Sequence, residues 1–261
     1  MAVRSSSLLS RRAVLRLATG VAAGLVVGES AYGALYERHH LGVTRADVPC
    51  AALPPALDGF RIGLITDTHH SAYVSLPFIE RAVALLDAER PDLVVLGGDY
   101  VTRHDRRYIP DAAAPFSRLN PPHGMFGVLG NHDDGVNVPR MLRRAGVTVL
   151  ADARTRVTVH GERIDLVGVN YWTRTLPDVA RVAKGRAPFT ILLAHDPRRL
   201  TEAAALDIPL VLSGHTHGGQ IALPVLGAIA ATKYPVAEGV GHTGASTLFV
   251  SRGVGTVLVP C

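Results

Sequence analysis

The sequence predicts a mixed α/β sandwich, and two features lead to this prediction. Between residues 61 and 213, short apolar runs typical of buried strands alternate with patterns typical of amphipathic helices. This alternation favours parallel strands that are covered on both faces. Two β-rich runs, at 154–160 and 163–169, are joined only by the pair Gly161-Glu162, which indicates a hairpin. We therefore expect sheets that combine parallel and antiparallel pairing.

The first half of the expected fold contains three strands and two helices. RIGLIT at 61–66 and DLVVL at 92–96 are continuous apolar runs of strand length. The intervening residues 75–90 carry apolar side chains at helical spacing, which predicts a helix. A third strand is expected at 125–129, followed by a helix at about 138–145.

The second half resumes the buried-strand pattern after the hairpin. Strands are expected at 189–194 and 210–213, with a helix near 197–206 between them. From Ile221 onward the chain is rich in glycine and contains two short runs with strand character, at 247–251 and 256–259.

The composition is that of a globular protein, with 48% hydrophobic and 19% charged residues among 261. The net charge of +5 is concentrated at the N-terminus, where four arginines against one glutamate give the first 34 residues +3. The remaining 23 basic and 21 acidic residues leave only +2, and no basic stripe with interleaved aromatic residues is present. Nucleic-acid binding is therefore not indicated.

The first 34 residues have the composition of a targeting segment. Ser10, Arg11 and Arg12 precede an uncharged stretch of 12 residues at 17–28, and a basic region before a short apolar one is typical of signals. The paired arginines resemble the bacterial twin-arginine signal. We expect export through the twin-arginine machinery to an extracytoplasmic location, with residues 1–34 either cleaved or kept as an anchor in the plasma membrane.

A loop-like linker is expected at residues 35–58, because this stretch contains Pro49, Pro54 and Pro55 and no regular periodicity. Residues 59–261 are then expected to form one domain. The polar residues of this domain that bear on function stand at the ends of its expected strands and in the loops that follow them.

Five of the expected strands are followed directly by side chains that bind metals. These endings are Asp67-Thr68-His69, Gly98-Asp99, Gly130-Asn131-His132-Asp133, His195 and His215-Thr216-His217. A single aspartate at a strand end more often caps the next helix. Parallel strands, however, bring their carboxyl ends to one edge of a sheet, where open α/β sheets bind ligands. Five such endings together indicate a common site.

Carboxylate, amide and imidazole ligands without a thiolate suit Mn, Fe or Zn. Their number exceeds what one ion with an open position needs, and it fits two ions that share a bridging ligand. Two cations about 3.5 to 4 Å apart hold the attacking and leaving oxygens of a displacement at phosphorus, and they lower the pKa of bound water. The residues thus predict hydrolysis of phosphate esters by attack of a metal-bridging hydroxide.

In this order, the blocks D-x-H, G-D, G-N-H-D, a lone histidine and G-H-T-H resemble the calcineurin-like metallophosphoesterases. The resemblance implies a four-layer α/β/β/α sandwich and makes 59–261 the metallophosphoesterase domain. The continuation Gly218-Gly219-Gln220-Ile221, with Leu223-Pro224 and Ser251-Arg252-Gly253, resembles more narrowly a small bacterial phosphodiesterase branch. Members of that branch often carry a twin-arginine or membrane-anchoring N-terminus.

The resemblance also implies a role for each residue. One divalent ion (Mn, Zn or Fe) would be held by Asp67, His69 and His217. The second ion would be held by Asn131, His195 and His215, with Asp99 as the bridge. His132 would donate a proton to the leaving oxygen or stabilise charge on the phosphoryl group, helped by Asp133.

The expected function is hydrolysis of a phosphodiester or pyrophosphate bond in a small-molecule or lipid-linked phosphate ester. The resemblance alone favours these bonds over monoesters. Two alternatives stay open at this point. One is a pyrophosphatase acting on a UDP-diacylglucosamine-type lipid precursor at the membrane, and the other is a non-catalytic, metal-stabilised binding module.

Residues beside these blocks are weaker candidates for substrate contacts. They are His70, Tyr73, Tyr100, Arg103 and His104. Tyr171-Trp172, directly after the hairpin, is expected to form either an aromatic wall of the site or a packed corner.

Overall fold

A computed structural model of the chain describes residues 10–35, 40–50, 52–219, 222–223, 227–228 and 233–256. The chain divides into two units, and the larger one spans Leu41–Leu258. The described part of the N-terminal unit contains helix α1 (Arg11–Leu35), which begins after Ser10, whose hydroxyl accepts the N–H of Ala13 at 3.2 Å. Within the described ranges, no helix combines the length and apolar character needed to cross a membrane.

The first sheet of the larger unit has four parallel strands in the order β1-β2-β3-β4. They are β1 (Ile62–Ile65), β2 (Leu93–Leu96), β3 (Met125–Gly127) and β4 (Val147–Val149). Its connections include α2 (Leu76–Ala88), the short α3 (Ile109–Ala112) and α4 (Asn137–Arg144).

The second sheet has six strands in the order β11-β12-β8-β7-β6-β5. In chain order, this half contains β5 (Ala153–Val159), β6 (Glu162–Val169), α5 (Leu176–Ala183), β7 (Thr190–Ala194), α6 (Leu200–Ala205), β8 (Leu210–Ser213), the paired β9 (Ala222–Leu223) and β10 (Gly227–Ala228), β11 (Gly239–Thr243) and β12 (Ser246–Val250). The strands β6, β7, β8 and β12 are parallel, whereas the outer strands β5 and β11 are antiparallel to their neighbours. The predicted mixture of pairing is thus confirmed.

The two sheets pack face to face, and helices cover their outer faces. Leu93 and Val95 of β2 belong to the same buried cluster as Leu193 of β7, which places this cluster between the sheets. Val94 of β2, one residue along, faces a separate cluster with the helices of the first half. Val211 of β8 likewise packs with the helices of the second half. Alternation along each strand therefore fills both faces, and the expected four-layer α/β/β/α fold is confirmed.

The β5–β6 hairpin turns one residue earlier than the sequence predicts. Glu162 already belongs to β6, and the two turn residues are His160 and Gly161, with φ of 50° and 84°. Positive φ at both central positions is the requirement of a type I′ turn, which matches the twist of the flanking strands. The glycine supplies this conformation without strain, and the preceding histidine adopts it as well.

Two other stretches, the helix expected at 197–206 and the linker expected at 35–58, differ in part from their predictions. The helix expected at 197–206 is a 3₁₀ turn, Pro197–Arg199, followed by α6. The segment 41–58 contains no regular element in its described residues except the 3₁₀ turn Pro55–Leu57, but Leu57 is buried and Leu53 packs against the cluster between the sheets. Residues 257–259 of the last expected strand lie outside the described ranges.

Candidate metal centre

Strand ends from both sheets meet at this site. Asp67 and Asp99 follow β1 and β2 of the first sheet, whereas His195 and His215 follow β7 and β8 of the second. The prediction that all these endings lie at the edge of one sheet is wrong, because the strands belong to two sheets. The side chains instead converge across the interface of two sheets whose parallel strands end on the same side.

The first cluster consists of Asp67, His69 and His217, which could hold one metal ion. The Nε2 atoms of His69 and His217 lie 3.2 Å apart, and Nε2 of His217 lies 3.4 Å from Oδ1 of Asp67. The side chains of Asp67 and His69 are fully buried, and that of His217 is nearly so. Three ligand atoms therefore face one small volume that is largely shielded from water.

The second cluster consists of Asp99, His195 and His215. Nδ1 of His215 lies 3.1 Å from Nε2 of His195, and the same Nε2 atom lies 3.1 Å from Oδ2 of Asp99. Both clusters contain one carboxylate and two imidazoles, a donor set that suits divalent Mn, Fe or Zn.

Asp99 lies between the two clusters. Its Oδ2 atom is 3.1 Å from Nε2 of His195 and 3.6 Å from Nε2 of His69. Its Oδ1 atom accepts a hydrogen bond of 2.8 Å from the backbone N–H of His132, which fixes the orientation of the carboxylate. One carboxylate oxygen is thus close to an imidazole of each cluster, as a bridging ligand must be.

Asn131 provides an independent sign that the site takes cations. Its side-chain oxygen is buried and has no hydrogen-bond partner in the described structure. A buried polar atom without a partner costs roughly 1–3 kcal/mol, and native structures avoid such atoms unless a ligand satisfies them. The next residue, His132, donates its backbone N–H to Asp99, so Asn131 lies on the loop that contacts the second cluster, and a metal ion held there would satisfy this oxygen.

Backbone contacts set the tautomer of two of the histidine rings. Nδ1 of His195 lies 2.8 Å from the carbonyl of Gly97, and Nδ1 of His217 lies 3.1 Å from the carbonyl of Gly255. Because a carbonyl only accepts, each Nδ1 carries the proton and donates it, which leaves the neutral ring's Nε2 lone pair facing the cluster. Such contacts orient the imidazole ligands of metal sites.

The backbone of the site is held in an unfavourable conformation. Five of the seven expected ligands have positive φ, from 46° to 72°: Asp67, His69, Asp99, His215 and His217. The left-handed region costs a residue with a side chain on the order of 1–3 kcal/mol, and such residues concentrate at functional sites. The surrounding sheets therefore impose the geometry of these side chains.

The charges in the pocket call for a positive ion. Burial lowers the pKa of His69 to about 4, and burial together with His195 lowers the pKa of His215 to about 4, so both rings are neutral at pH 7. Burial acts against protonation of His195 as well, but the carboxylates of Asp99 and Asp67 raise its pKa to about 10. Two buried carboxylates thus draw a cation into the pocket, and metal ions would supply that charge in place of the proton.

His132 lies beside the first cluster. Its ring is 5.0 Å from the ring of His69, in an edge-to-face arrangement. The backbone N–H of Arg103 donates to Nδ1 of His132 at 2.8 Å, so the proton of the neutral ring is on Nε2. Burial lowers the pKa of His132, which favours this neutral form.

Among the described residues, no hydrogen bond or ion pair joins Asp133 to the ring of His132. Its carboxylate accepts three backbone N–H bonds of 2.8 Å, from Asp99, Tyr100 and Gly130. It therefore ties the loop after β2 to the loop after β3, and any help to His132 is through the position of the backbone.

The weaker candidates separate into two groups. His70 and Tyr100 are buried and have structural partners: Nδ1 of His70 bonds the carbonyl of Val74, and the hydroxyl of Tyr100 faces the carbonyls of Leu96 and Val128. By contrast, the ring of Tyr171 lies 5.3 Å from that of His215. Sequence reasoning did not identify the carbonyls of Gly97 and Gly255 as partners of ligands, because backbone groups leave no residue signature.

The fold and the two ligand clusters define a class of protein, an α/β/β/α sandwich with two adjacent groups of metal-binding side chains at the carboxyl ends of its strands. Residues 60–219 match the family model described as calcineurin-like phosphoesterase. The chain belongs to this family of metallophosphoesterases.

Sequence similarity to other proteins extends beyond residues 60–219. The chain is 31% identical over 265 residues to YkuE of Bacillus subtilis (strain 168), an uncharacterized metallophosphoesterase, covering 97% of this chain and 93% of YkuE. It is 33% identical over 214 residues to the phosphodiesterase YaeI of Escherichia coli (strain K12), covering 76% of each chain. Among solved structures, TT1561 of Thermus thermophilus is similar with a TM-score of 0.53 at 14% identity, covering 75% of this chain and 90% of that one. This last similarity concerns the fold alone.

Proposed function

We propose that this protein is a dinuclear metal-dependent hydrolase that cleaves phosphodiester or pyrophosphate bonds. The observation that carries the proposal is the position of Asp99, whose carboxylate oxygen lies within 3.6 Å of an imidazole from each ligand cluster. A shared carboxylate between two three-residue clusters supports two adjacent ions, which is the arrangement used for displacement at phosphorus.

The chain's own residues would hold the two ions in a buried, negatively charged pocket. Asp67, His69 and His217 supply one set of ligands, and Asn131, His195 and His215 supply the other, with Asp99 between them. When bound, two Mn, Zn or Fe ions would neutralise phosphoryl oxygens and lower the pKa of a coordinated water. The strained backbone and the contacts to Nδ1 keep these side chains oriented before substrate arrives.

His132 has the protonation that the reaction needs. Its Nδ1 atom is occupied as an acceptor by the N–H of Arg103, so Nε2–H is the free donor. A hydrogen-bond donor beside the ligand clusters would stabilise negative charge on the phosphoryl group or protonate the leaving oxygen. The ring is anchored through the backbone as well, because the N–H of His132 donates to Asp99.

Phosphodiester and pyrophosphate bonds are proposed over monoesters on the strength of similarity. The relative YaeI is named a phosphodiesterase, and the match to it covers 76% of this chain. Small-molecule and lipid-linked esters both belong to the proposal, since the two ligand clusters would act on the phosphoryl group, which both kinds of ester contain.

We also propose that the N-terminal unit brings the enzyme to the extracytoplasmic side of the membrane. Arg11 and Arg12 open helix α1 and are exposed, as a twin-arginine signal requires. Changing both to lysine should block export while leaving the hydrolase active in extracts. Export of the doubly substituted chain at the normal level would contradict this route.

The decisive experiment measures metal content and hydrolysis of bis(p-nitrophenyl) phosphate on one purified sample, with Mn, Zn or Fe restored after chelation. About two equivalents of metal and metal-restored turnover would support the proposal. Two equivalents without turnover on any diester or pyrophosphate would favour a binding module. Failure to bind metal would overturn the dinuclear assignment.

A further inference from the structure

The loop at 170–174, directly after β6, borders the metal centre on the side of the second cluster. The ring of Tyr171 lies 5.3 Å from that of His215 and 6.0 Å from that of His195. The ring of Tyr234 also lies 5.5 Å from that of His215, at an interplanar angle of 89°. Two tyrosine rings thus lie next to one of the expected metal ligands.

Beyond Tyr171, the loop exposes the only tryptophan of the chain. Trp172 is 71% exposed, and its ring meets that of Tyr171 edge-to-face at 5.0 Å. The guanidinium of Arg174 lies 4.5 Å from the centroids of both rings. A large aromatic ring that is this exposed buries little surface in the fold itself, so most of its surface is accessible to another molecule.

Buried and partly buried charged groups hold this exposed loop still. Asp152 accepts the N–H of Asn170 at 3.0 Å, the side-chain amide of Asn170 at 2.7 Å and the hydroxyl of Thr173 at 2.7 Å. At the other end, Arg199 donates to the carbonyl of Arg174 at 2.6 Å. The side chain of Arg199 is only 9% exposed and is paired with Glu202 at 2.7 Å.

We infer that Tyr171 and Trp172 bind the organic group of the substrate, and that this group carries a planar aromatic ring. The inference rests on the proposed function and adds a substrate class to it: phosphate esters with an aryl or similar flat group beside the reacting phosphorus. An aromatic surface kept rigid at a binding site loses little conformational entropy when a ring stacks on it. The cation of Arg174 stabilises the arrangement of the two rings from one face.

Turnover tests the inference through two esters that release the same p-nitrophenolate. Bis(p-nitrophenyl) phosphate retains an aryl group, whereas methyl p-nitrophenyl phosphate retains a methyl group. With the full-length, metal-loaded protein, Trp172→Ala should lower the ratio of kcat/KM values, diaryl over methyl aryl, by about 10-fold or more. Trp172→Phe should restore most of the ratio, because a flat ring returns.

Leu85→Ala is the matched control, since it also removes an exposed apolar side chain, 38% exposed, on the remote helix α2. Its ratio should equal that of the unmodified protein. An unchanged ratio in Trp172→Ala, whether both kcat/KM values fall equally or neither falls, would overturn the inference.

Binding gives a second readout that does not depend on turnover. Because Trp172 is the single tryptophan, the indole emission of the protein reports on this loop alone. Phenylphosphonate should shift or quench that emission, whereas methylphosphonate at equal concentration should not. If neither ester is hydrolysed but phenylphosphonate changes the emission, the proposed function fails while the ring site stands. Equal response to both phosphonates would contradict the ring site.

Discussion

The backbone N–H of Arg103 donates a hydrogen bond of 2.8 Å to Nδ1 of His132. A backbone amide always donates, so this contact leaves Nε2–H as the free end of the ring. The structure thus assigns the tautomer of a histidine that lies beside the first ligand cluster. The role that we propose for this ring in hydrolysis rests on that tautomer.

Replacing His132 by Ala or Gln should lower kcat/KM for bis(p-nitrophenyl) phosphate by about 10²–10⁴-fold, the usual contribution of an acid–base group. The metal content should remain at the level of the unmodified protein, because the ring is not one of the ligands. Metal analysis and steady-state kinetics on the same sample check both statements. His242→Ala, which changes an exposed histidine bonded to Thr247 on β12, should leave both values unchanged, and turnover by His132→Ala at the normal rate would remove the ring from the mechanism.

Replacing Asp99 by Asn should lower both metal occupancy and activity, since this carboxylate lies between the two clusters. Metal that binds only the folded chain raises Tm. Addition of Mn or Zn should therefore raise the Tm of the chelated native protein by several degrees and that of the variant much less. Asp105→Asn alters a surface carboxylate paired with Arg107 and should respond to metal like the native protein. The same rise in Tm in Asp99→Asn would contradict a bridging role.

The location of the site could be predicted from the sequence, but its division between two sheets could not. The polar residues Asp67, Asp99 and His195 directly follow apolar runs of strand length, and this pattern can be read from adjacent residues in the sequence. Which strands pair with one another is decided by packing between distant segments, and nothing near Asp99 or His195 records that they belong to different sheets. The hydrogen-bond partners of the imidazoles could not be predicted either, because the carbonyls of Gly97 and Gly255 belong to the backbone and every residue has such a group.

A methyl group at Gly130 should disrupt the centre without adding or removing any charge. A Cβ atom there would lie 2.0 Å from Oδ1 of Asp99, too close for any real contact. Gly130→Ala should therefore displace the Asp99 carboxylate and reduce metal content and turnover at least 10-fold. Gly135→Ala is the matched control, because its Cβ would meet nothing within 4 Å, and it should retain both. Full metal content in Gly130→Ala would mean that the loop accommodates the methyl group.

Away from the metal centre, the second sheet contains a buried carboxylate between two arginines. Asp165 of β6 is fully buried, with Oδ1 at 2.6 Å from Nε of Arg156 and Oδ2 at 2.5 Å from Nη1 of Arg154. Its Oδ2 also accepts the N–H of Ala187 at 2.8 Å. Burial opposes ionisation, but the hydrogen bonds from Arg156, Ala187 and Arg154 lower the pKa of Asp165 to about 2.

This carboxylate should make the stability of the fold depend on pH in the acid range. Because the pKa is lower in the folded chain than in the unfolded one, near 3.9, the stabilisation is complete above about pH 5. It is lost as the pH falls toward 2, and it amounts to about 2 kcal/mol. Urea unfolding of the chelated protein should show Asp165→Asn less stable than the native chain at pH 7, with the difference shrinking at pH 3. The use of metal-free protein removes the pH dependence of metal binding, and the protonation of the ligand residues is common to the two chains and cancels in the difference. A difference in the free energy of unfolding that stays constant from pH 7 to pH 3 would show that the charge of Asp165 contributes nothing beyond its hydrogen bonds.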